Sequence, residues 1–341
     1  MQKFIISVAV VGLLAMSGLY STAALAGTAP GAYAYGADVG WVTQEEKEGV
    51  VFKDAAGHAA DPFVLLKATG VDAIRLRVWV NPKDGWNGKA DTLAKAKRAA
   101  AQGQRIMIDF HYSDNWADPG KQFKPAAWAN DSVDQLKRDV YDHTIDVLGY
   151  LKANGIDVAW VQVGNEITNG LLWPDGKTDQ PANLTAFTNA GYDAVKAVYP
   201  DAKVVIHIDN GWDGAQARTW FDTYFAAGGK ADIIGLSYYP YWSKVKDWHL
   251  ANPMLGDTMA DLVSRYGKPV MVVEIGYAWD QPDAAKAMIS DVIARNKALT
   301  DGMGQGVFYW EPDGDPNWSH YPLSAMNAKD QFTSAMDAFR H

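Results

Sequence analysis

Eight short apolar runs recur along the sequence, and longer amphipathic stretches separate them. The runs are nearly continuous in Val, Ile and other apolar residues, as expected for strands that are buried on both faces of a parallel sheet. A chain patterned in this way is predicted to alternate strands with helices. The predicted strands are Tyr35–Trp41, Ile74–Trp79, Arg105–Tyr112, Val158–Glu166, Val204–Asp209, Ile233–Tyr239, Val270–Tyr277 and Gly306–Glu311.

The intervening stretches predict helices, several of which end at a Gly or Pro that would stop a helix. Eight strand–helix units predict an α/β fold of the (β/α)8 TIM barrel type, with residues 27–341 as a single domain. An open doubly wound sheet is the alternative, but it normally carries a glycine-rich phosphate turn after its first strand, and Gly40-Trp41-Val42 is not one. The predicted helices are Phe63–Thr69, Leu93–Ala101, Val133–Ala153, Leu184–Val198, Thr219–Ala227, Met259–Tyr266, Ala284–Leu299 and Gln331–Phe339.

The first 26 residues have the three parts of a signal peptide. Lys3 supplies a positive charge, Phe4 to Met16 is an apolar run, and Ala24-Leu25-Ala26 resembles a cleavage site. An uncleaved N-terminal anchor is the alternative, although the apolar run is short for a membrane span. We therefore expect a secreted or periplasmic protein that is not bound to a membrane after residues 1–26 are removed.

Composition excludes several classes of protein. The formal net charge is −9 and no basic stripe is visible, so nucleic acid is not expected as a partner. The absence of cysteine excludes thiol catalysis and Cys-ligated zinc. Asp313-Gly314-Asp315-Pro316-Asn317 imitates the first ligands of a calcium loop, but Trp318 stands at the turn-glycine position and Ser324 at the position of the bidentate Glu. We expect no metal, no cofactor and a monomer.

Polar and aromatic side chains follow the C-terminal ends of the predicted strands, which meet at one face of such a barrel. Glu166 ends the fourth strand and Glu274 lies in the seventh. Retaining glycoside hydrolases need two carboxylates about 5 Å apart, one to attack the anomeric carbon and one to protonate the leaving oxygen. Each glutamate alone could instead form a structural ion pair with an arginine. Glu311 is a third carboxylate, and we interpret it as a loop or structural acid because it precedes Pro312.

Neighbouring residues fit the same chemistry. Asn165 is suited to bind a sugar 2-hydroxyl, and Arg77 and His111 are predicted to keep the nucleophile ionised and oriented. Trp310 ends the eighth strand, where its ring could lie beneath the reacting sugar. A metalloenzyme is a competing interpretation, in which the ligands would be Asp109, His111, His207 and Asp209.

Several motifs resemble one family, the endo-β-1,4-galactanases of glycoside hydrolase family 53. The similarity keeps its order over nearly all of the chain after residue 26. The run His111-Tyr112-Ser113-Asp114-Asn115-Trp116-Ala117-Asp118-Pro119 is highly specific, whereas Asn165-Glu166 is shared by many families of clan A. The other matching segments are Gly36–Val39, Ile74–Pro82, Gln162–Glu166, Gly170–Pro174, Gly235–Pro240, Val273-Glu274 and Tyr309–Pro312.

The resemblance implies a catalytic (β/α)8 domain that cleaves the β-1,4-galactan of pectic type I arabinogalactan and retains the anomeric configuration. It implies Glu166 as the acid/base and Glu274 as the nucleophile. Another clan A endo-β-glycanase, such as a mannanase or glucanase, and a non-catalytic polysaccharide-binding barrel are the alternatives. The expected substrate-binding residues are Asp38, Arg77, His111, Asn165, Asp209, Tyr238 and Trp310.

Overall fold

Eight parallel strands close into a barrel in a computed structural model that describes Met1 and residues 32–341. Each strand pairs with its neighbours in chain order, and the eighth pairs with the first. This confirms the predicted (β/α)8 barrel. The strands are β1 (Ala34–Asp38), β2 (Ala73–Val78), β3 (Arg105–Phe110), β4 (Trp160–Val163), β5 (Lys203–Ile208), β6 (Ile233–Tyr238), β7 (Val270–Ile275) and β8 (Gly304–Trp310).

Helices cover the outside of the barrel and bury their apolar faces against the strands. Two of the described helices and a short hairpin of Gly170–Leu171 with Gly176–Lys177 were not expected from the sequence. The helices are α1 (Val42–Glu48), α2 (Pro62–Ala68), α3 (Lys89–Ala101), α4 (Val133–Ala153), α5 (Pro181–Val198), α6 (Gly214–Ala226), α7 (Trp248–Tyr266), α8 (Pro282–Lys297) and α9 (Pro316–Ser319).

The predicted C-terminal helix over Gln331–Phe339 is wrong. Gln331 and Phe332 instead form isolated bridges with Lys53 and Met326. Their backbone groups are therefore used in extended pairing, and only a 3-10 helix over Ser334–Phe339 follows.

The predicted signal peptide, apart from Met1, lies outside the described residues. Within residues 32–341, no helix has both the length and the apolar character needed to cross a bilayer.

Inward-facing side chains change character along the barrel axis, because alternate residues of each strand point inward. Near the N-terminal ends of the strands they form a separate apolar cluster, in which Trp160 contacts Phe308 edge to face. Gly36 leaves room for Phe308, since a Cβ at Gly36 would lie 2.1 Å from the ring. Two or four residues further along the same strands the inward positions are polar. These are Asp38, Arg75, Arg77, Asp109, Gln162, His207 and Ser237.

Strand β7 departs from this alternation. Leu236 of β6 pairs with Val272, whereas the next residue, Ser237, pairs with Glu274, so Val273 is an additional residue in β7. Val273 packs with the inner apolar cluster, and Glu274, directly after it, lines the cleft at the barrel mouth. The irregular pairing therefore turns two consecutive side chains toward the barrel axis.

Candidate active site

A cavity of about 490 Å³ opens at the C-terminal ends of the strands. Glu166 and Glu274 both line it, and they reach it from β4 and β7. The structure thus brings the two predicted catalytic carboxylates, 108 positions apart in the sequence, to one cleft. Four predicted substrate-binding residues line the same cavity, namely His111, Asn165, Asp209 and Trp310.

Glu166 sits at a sharp turn beyond the end of β4. Gly164 has φ +87°, and Glu166 itself is in the left-handed region, with φ 45° and ψ 52°. A residue with a side chain is strained in that region, and such strain is often found at active sites. Burial raises the pKa of Glu166 well above its usual value, and the negative charge of Glu274 raises it further. Glu166 is therefore disposed to hold a proton at neutral pH.

Glu274 is held by two donors. Arg75 Nη2 lies 2.9 Å from its Oε1, and the Tyr239 hydroxyl donates to its Oε2 at 2.9 Å. Burial raises the pKa of Glu274 to about 7, while the positive charge of Arg75 and the Tyr239 hydrogen bond oppose that rise. Glu274 therefore ionises before Glu166, so one carboxyl of the cleft can be charged while the other holds a proton.

Arg75 is fully buried and links the polar layer beneath the cleft. Its guanidinium is 2.7 Å from Asp38 and 2.9 Å from Asp109, and it donates to Asn165 Oδ1 at 2.9 Å. A buried guanidinium is tolerated only when its donors are used in this way. Arg75 thus connects Glu274 with Asn165, the residue that precedes Glu166.

The predicted role of Arg77 is wrong. Arg77 forms an ion pair with Glu311, not with Glu274, and its guanidinium carbon lies 4.2 Å from the centroid of the Trp116 ring. Glu311 also accepts hydrogen bonds from the backbone of Gly40 and Trp41 at 3.0 and 3.3 Å. The pair supports the aromatic floor of the cleft from below, and Glu311 is the structural acid that its position before Pro312 suggested.

Asp38 and Tyr238, which were expected to bind substrate, do not line the cavity. Asp38 is fully buried and is used by Arg75. Tyr238 points out of the barrel and donates to Asn252 of α7 at 2.5 Å. Its neighbour Tyr239 lines the cavity instead, because side chains alternate along β6 and Ser237 already faces inward.

His111 joins the floor of the cleft to the polar layer. Its Nδ1 accepts from the Ala117 backbone N–H at 3.1 Å and from Trp79 Nε1 at 3.3 Å, so its Nε2 carries the proton and donates to Asp109 at 3.0 Å. A neutral imidazole is thereby fixed in one orientation. Asp209 is fixed in turn by the Thr168 hydroxyl, which donates to it at 2.5 Å.

Aromatic rings form the walls and floor of the cleft. Trp310 contacts Trp41 edge to face, with ring centroids 5.2 Å apart, and Trp116 lies 5.9 Å from both. Trp242 also lines the cavity and is 55% exposed. Aromatic faces of this kind suit the C–H faces of sugar rings.

The four suggested metal ligands are not arranged around one point. Asp109 and His111 are hydrogen-bonded to each other, and His207 is hydrogen-bonded to Ser237. Across residues 32–341, no three His, Asp or Glu side chains form a group with the geometry of a metal site.

Arg75, Ser237 and Tyr239 were not assigned to the site from the sequence, and His207 was suggested there only as a metal ligand, yet all four are part of it. Arg75 and Tyr239 hold Glu274, and Ser237 and His207 lie beside Glu166. For Arg75, Ser237 and His207 the alternation within their strands could have identified them, since each shares its parity with an inward apolar residue near the strand's N-terminal end.

Comparisons with known proteins agree with this geometry. The model of the family described as "Glycosyl hydrolase family 53" matches residues 34–339. An uncharacterized protein from the bgaB 5' region of Niallia circulans is 37% identical over 327 residues, which cover 87% of this chain and 88% of that protein. A probable arabinogalactan endo-beta-1,4-galactanase A of Neosartorya fischeri is 37% identical over 300 residues, covering 81% and 83%.

A solved structure extends the similarity to three dimensions. One of two fungal beta-1,4-galactanases superposes with a TM-score of 0.84 at 32% identity, over 90% of this chain and 99% of that one. The motif resemblance, the family model and the superposition lead to the same assignment: the chain belongs to glycosyl hydrolase family 53.

Proposed function

We propose that this glycoside hydrolase cleaves internal β-1,4-galactosidic linkages in the galactan of type I arabinogalactan, with retention of configuration. The observation that carries the proposal is that Glu166 and Glu274 face one cavity with pKa values raised to different extents. The printed names of the galactanase relatives support galactan as the substrate and an endo mode of cleavage.

In the first step, the Glu274 carboxylate attacks the anomeric carbon, and Glu166 donates its proton to the glycosidic oxygen. The glycosidic bond breaks, the chain segment on the leaving side departs, and the other segment remains as an ester of Glu274. In the second step, Glu166 removes a proton from water, which attacks the same carbon and releases Glu274. Two inversions restore the β configuration.

The electrostatics of the pair allow Glu166 to change roles between these steps. While Glu274 is ionised, its charge raises the pKa of Glu166 and keeps the proton that the first step needs. Once Glu274 is an ester, that charge is gone and the pKa of Glu166 falls. Glu166 can then act as the base that the second step needs.

Substrate recognition follows from the cleft lining. We propose that His111, Asn165 and Asp209 bind sugar hydroxyls and that Trp310 stacks beneath the reacting galactose. Asp38 and Arg77 act from below: Asp38 accepts from Arg75, and Arg77 supports the Trp116 ring. Galactan is uncharged, so the net charge of −9 does not oppose its approach.

The biological form is a further part of the proposal. We propose that residues 1–26 are removed on export and that residues 27–341 act as a monomeric secreted or periplasmic domain. Lys3, the apolar run after it and Ala24-Leu25-Ala26 support this. The mass of the exported protein and its light-scattering mass in solution test the two statements.

Product analysis of linear β-1,4-galactan tests the activity directly. We expect a range of galacto-oligosaccharides early in the digest, with the new reducing ends in the β form by NMR before they mutarotate. Mannan and cellulose should release far less sugar; preferential cleavage of either would replace galactan by that substrate.

Glutamine variants test the two catalytic roles. Glu166→Gln and Glu274→Gln should each lower kcat on galactan by at least about 10³-fold, and Glu48→Gln on the exposed surface of α1 is the matched control. Azide should restore Glu166→Ala with a β-galactosyl azide product and Glu274→Gly with an α product. Full activity in either glutamine variant would refute the assignment.

A further inference from the structure

Gln122 lies in the loop after β3 and is 1% exposed. Its side-chain Nε2 lies 2.7 Å from the backbone oxygen of Asn165, 3.2 Å from that of Asp118 and 3.4 Å from that of Glu166. Carbonyl oxygens can only accept hydrogen bonds, so this atom is the amide nitrogen, and its two N–H groups serve three carbonyls. One buried side chain thus contacts both carbonyl oxygens that flank the Cα of Glu166.

The acceptor half of the same amide has no partner. Gln122 Oε1 is buried, and no hydrogen-bond donor reaches it from the part of the chain that the structure describes. An unpaired buried polar atom costs stability, and an apolar side chain of the same shape would avoid that cost. What an amide contributes at this position is therefore its N–H groups.

The two carbonyls that flank Glu166 belong to the strained turn after β4. Glu166 has φ 45° and ψ 52°. In helical conformations of either hand the carbonyls on both sides of a Cα point the same way, whereas in an extended residue they point to opposite sides. One donor group can therefore reach both oxygens only while the turn keeps its left-handed form. A side-chain-bearing residue stays in that region only where its surroundings impose it, and Gln122 is such a restraint.

Further hydrogen bonds join the loop after β3 to the segment after β4. Asn165 Nδ2 donates to the backbone oxygen of Ala117 at 2.8 Å, and the Trp173 backbone N–H donates to the backbone oxygen of Gln122 at 2.7 Å. Ala117 and Asp118 of this loop line the cleft. The loop and the turn are thus held together, and Gln122 lies where they meet.

We propose that Gln122 is a positioning residue for the acid/base, because it fixes the turn from which the Glu166 carboxyl reaches the glycosidic oxygen. The inference rests on the proposed function of Glu166. Gln122 does not line the cavity, so it acts through the backbone of the turn and not through contact with the sugar. General acid catalysis requires the acid within hydrogen-bond distance of the leaving oxygen, so a turn without this restraint should protonate that oxygen poorly.

The first experiment compares the wild type with Gln122→Met, which keeps the length of the side chain and removes both N–H groups. We expect kcat on galactan to fall about 10- to 100-fold, since a displacement of about 1 Å at a catalytic group is enough for such a loss. KM should change by less than about threefold, because the side chains that line the cleft are unchanged. A kcat equal to that of the wild type would overturn the inference.

Gln104 provides a matched control at the N-terminal end of β3, away from the cleft. It is also buried, its Nε2 donates to the backbone oxygen of Val71 at 3.1 Å, and its Oε1 likewise has no partner among the described residues. Gln104→Met should lower the melting temperature about as much as Gln122→Met, but should keep kcat within about threefold of the wild type. Similar losses of kcat in both variants would show that lost stability is the cause, and would overturn the inference.

A second substrate separates positioning of the acid from general damage to the site. A dinitrophenyl β-galactobioside has a leaving group that needs no proton, so its kcat/KM does not depend on Glu166 as an acid. Gln122→Met should change this value by less than about threefold while kcat/KM on galactan falls. Equal losses on the two substrates would contradict the proposed role of Gln122.

Gln122→Glu tests the need for a donor in a side chain of nearly the same shape. Burial raises the pKa of a carboxyl, and a protonated carboxyl keeps one O–H that can donate to the Asn165 oxygen. Measured against the wild type at the same pH, the kcat of this variant should exceed that of Gln122→Met at about pH 6 and should fall as the carboxyl ionises. A value at that pH no higher than that of Gln122→Met would refute the need for a donor.

Failure of this inference can be told apart from failure of the proposed function. A wild type that releases no sugar from galactan would contradict the function itself. A wild type that cleaves galactan, with Gln122→Met equally active, would contradict only the role of Gln122.

Discussion

The Tyr239 hydroxyl donates a 2.9 Å hydrogen bond to Oε2 of Glu274, whereas Tyr238, the preceding residue, donates to Asn252 on the far side of β6. Two adjacent tyrosines therefore serve the cleft and the outer core respectively. The same substitution, tyrosine to phenylalanine, can therefore be made on each side of β6 and the two effects compared.

Removal of each hydroxyl should have different consequences. Tyr239→Phe should lower kcat about 10- to 100-fold, because the nucleophile loses a donor that orients it. Tyr238→Phe should keep kcat within about threefold and lower the stability by about 1 kcal/mol, because Asn252 loses a buried partner. Steady-state kinetics and thermal unfolding of both variants provide the measurement, and a larger kinetic effect for Tyr238→Phe would reverse our placement of the two residues.

Arg75 and Arg77 offer a second matched pair. Arg75→Lys keeps the positive charge but cannot contact Asp38, Asp109 and Glu274 at once. We expect kcat/KM to fall at least about 100-fold and the acid limb of the pH profile to move upward, because Glu274 is less stabilised as an anion.

Arg77→Lys should leave the acid limb in place and lower the melting temperature, since Arg77 supports Glu311 and the Trp116 ring. If the acid limb moved in Arg77→Lys but not in Arg75→Lys, Arg77 and not Arg75 would be the residue that stabilises ionised Glu274, which would contradict the contacts described above.

The pH profile of kcat/KM should be bell-shaped. Glu274 must be ionised, so activity is lost as the pH falls below its pKa of about 7, and Glu166 must be protonated, so activity is lost as the pH rises above its higher pKa. Asp209→Asn removes a negative charge that raises the pKa of Glu166, and should move the alkaline limb downward by about half a pH unit.

The acid limb of the Asp209→Asn pH profile provides a control for this prediction. Asp209→Asn should leave the acid limb nearly unchanged, because the main contributors to the pKa of Glu274 are burial, Arg75, Asp109, Asp38 and Tyr239. A downward shift of both limbs would mean that the substitution acts through a change of structure.

Buried acids behind the cleft should make the fold sensitive to alkali. Asp313 is fully buried, and neither carboxylate oxygen has a hydrogen-bond partner on another residue in the part of the chain that the structure describes. Burial raises the pKa of Asp313 well above its usual value, and the charges of Glu311 and Glu45 add to this; burial likewise raises the pKa of Glu45 to about 9. A folded-state pKa above the unfolded one gives stability that is present in acid and lost as the pH rises.

Asp313→Asn removes the charge without changing the shape. We expect it to raise the melting temperature by about 3–6 °C at pH 8, corresponding to ~2 kcal/mol, and to change it little at pH 4. Calorimetry at both pH values provides the measurement, with Asp134→Asn on the exposed surface of α4 as control. An equal effect at pH 4 and pH 8 would exclude the charge as its cause.

The sequence predicted the barrel well because each strand is a continuous apolar run and each major helix is amphipathic, and these patterns are local. Strand ends were predicted less accurately: β4 ends at Val163, whereas the predicted strand extended to Glu166. The turn between them depends on the positive φ of Gly164 and Glu166, which Glu166 adopts despite its side chain.

Within the site, residue types predicted the chemistry, but they did not predict which side chains contact each other. Glu166 and Glu274 could be chosen because carboxylates at strand ends are costly to bury without a purpose. The choice between Arg75 and Arg77, both inward-facing on β2, could not be made, because it depends on depth along the barrel axis: Arg75 meets Glu274, and Arg77, two residues further, meets Glu311. Tyr238 was expected from the family resemblance, whereas the alternation along β6 places Tyr239 in the cleft and Tyr238 outside it.

The additional residue in β7 has a consequence for anyone who redesigns this barrel. The pairing with β6 skips Val273, so Val273 fills the interior and Glu274, the next residue, reaches the cleft. Idealising that strand to regular pairing, a common first move in engineering for robustness, would preserve the scaffold while rotating Glu274 out into the shell of helices.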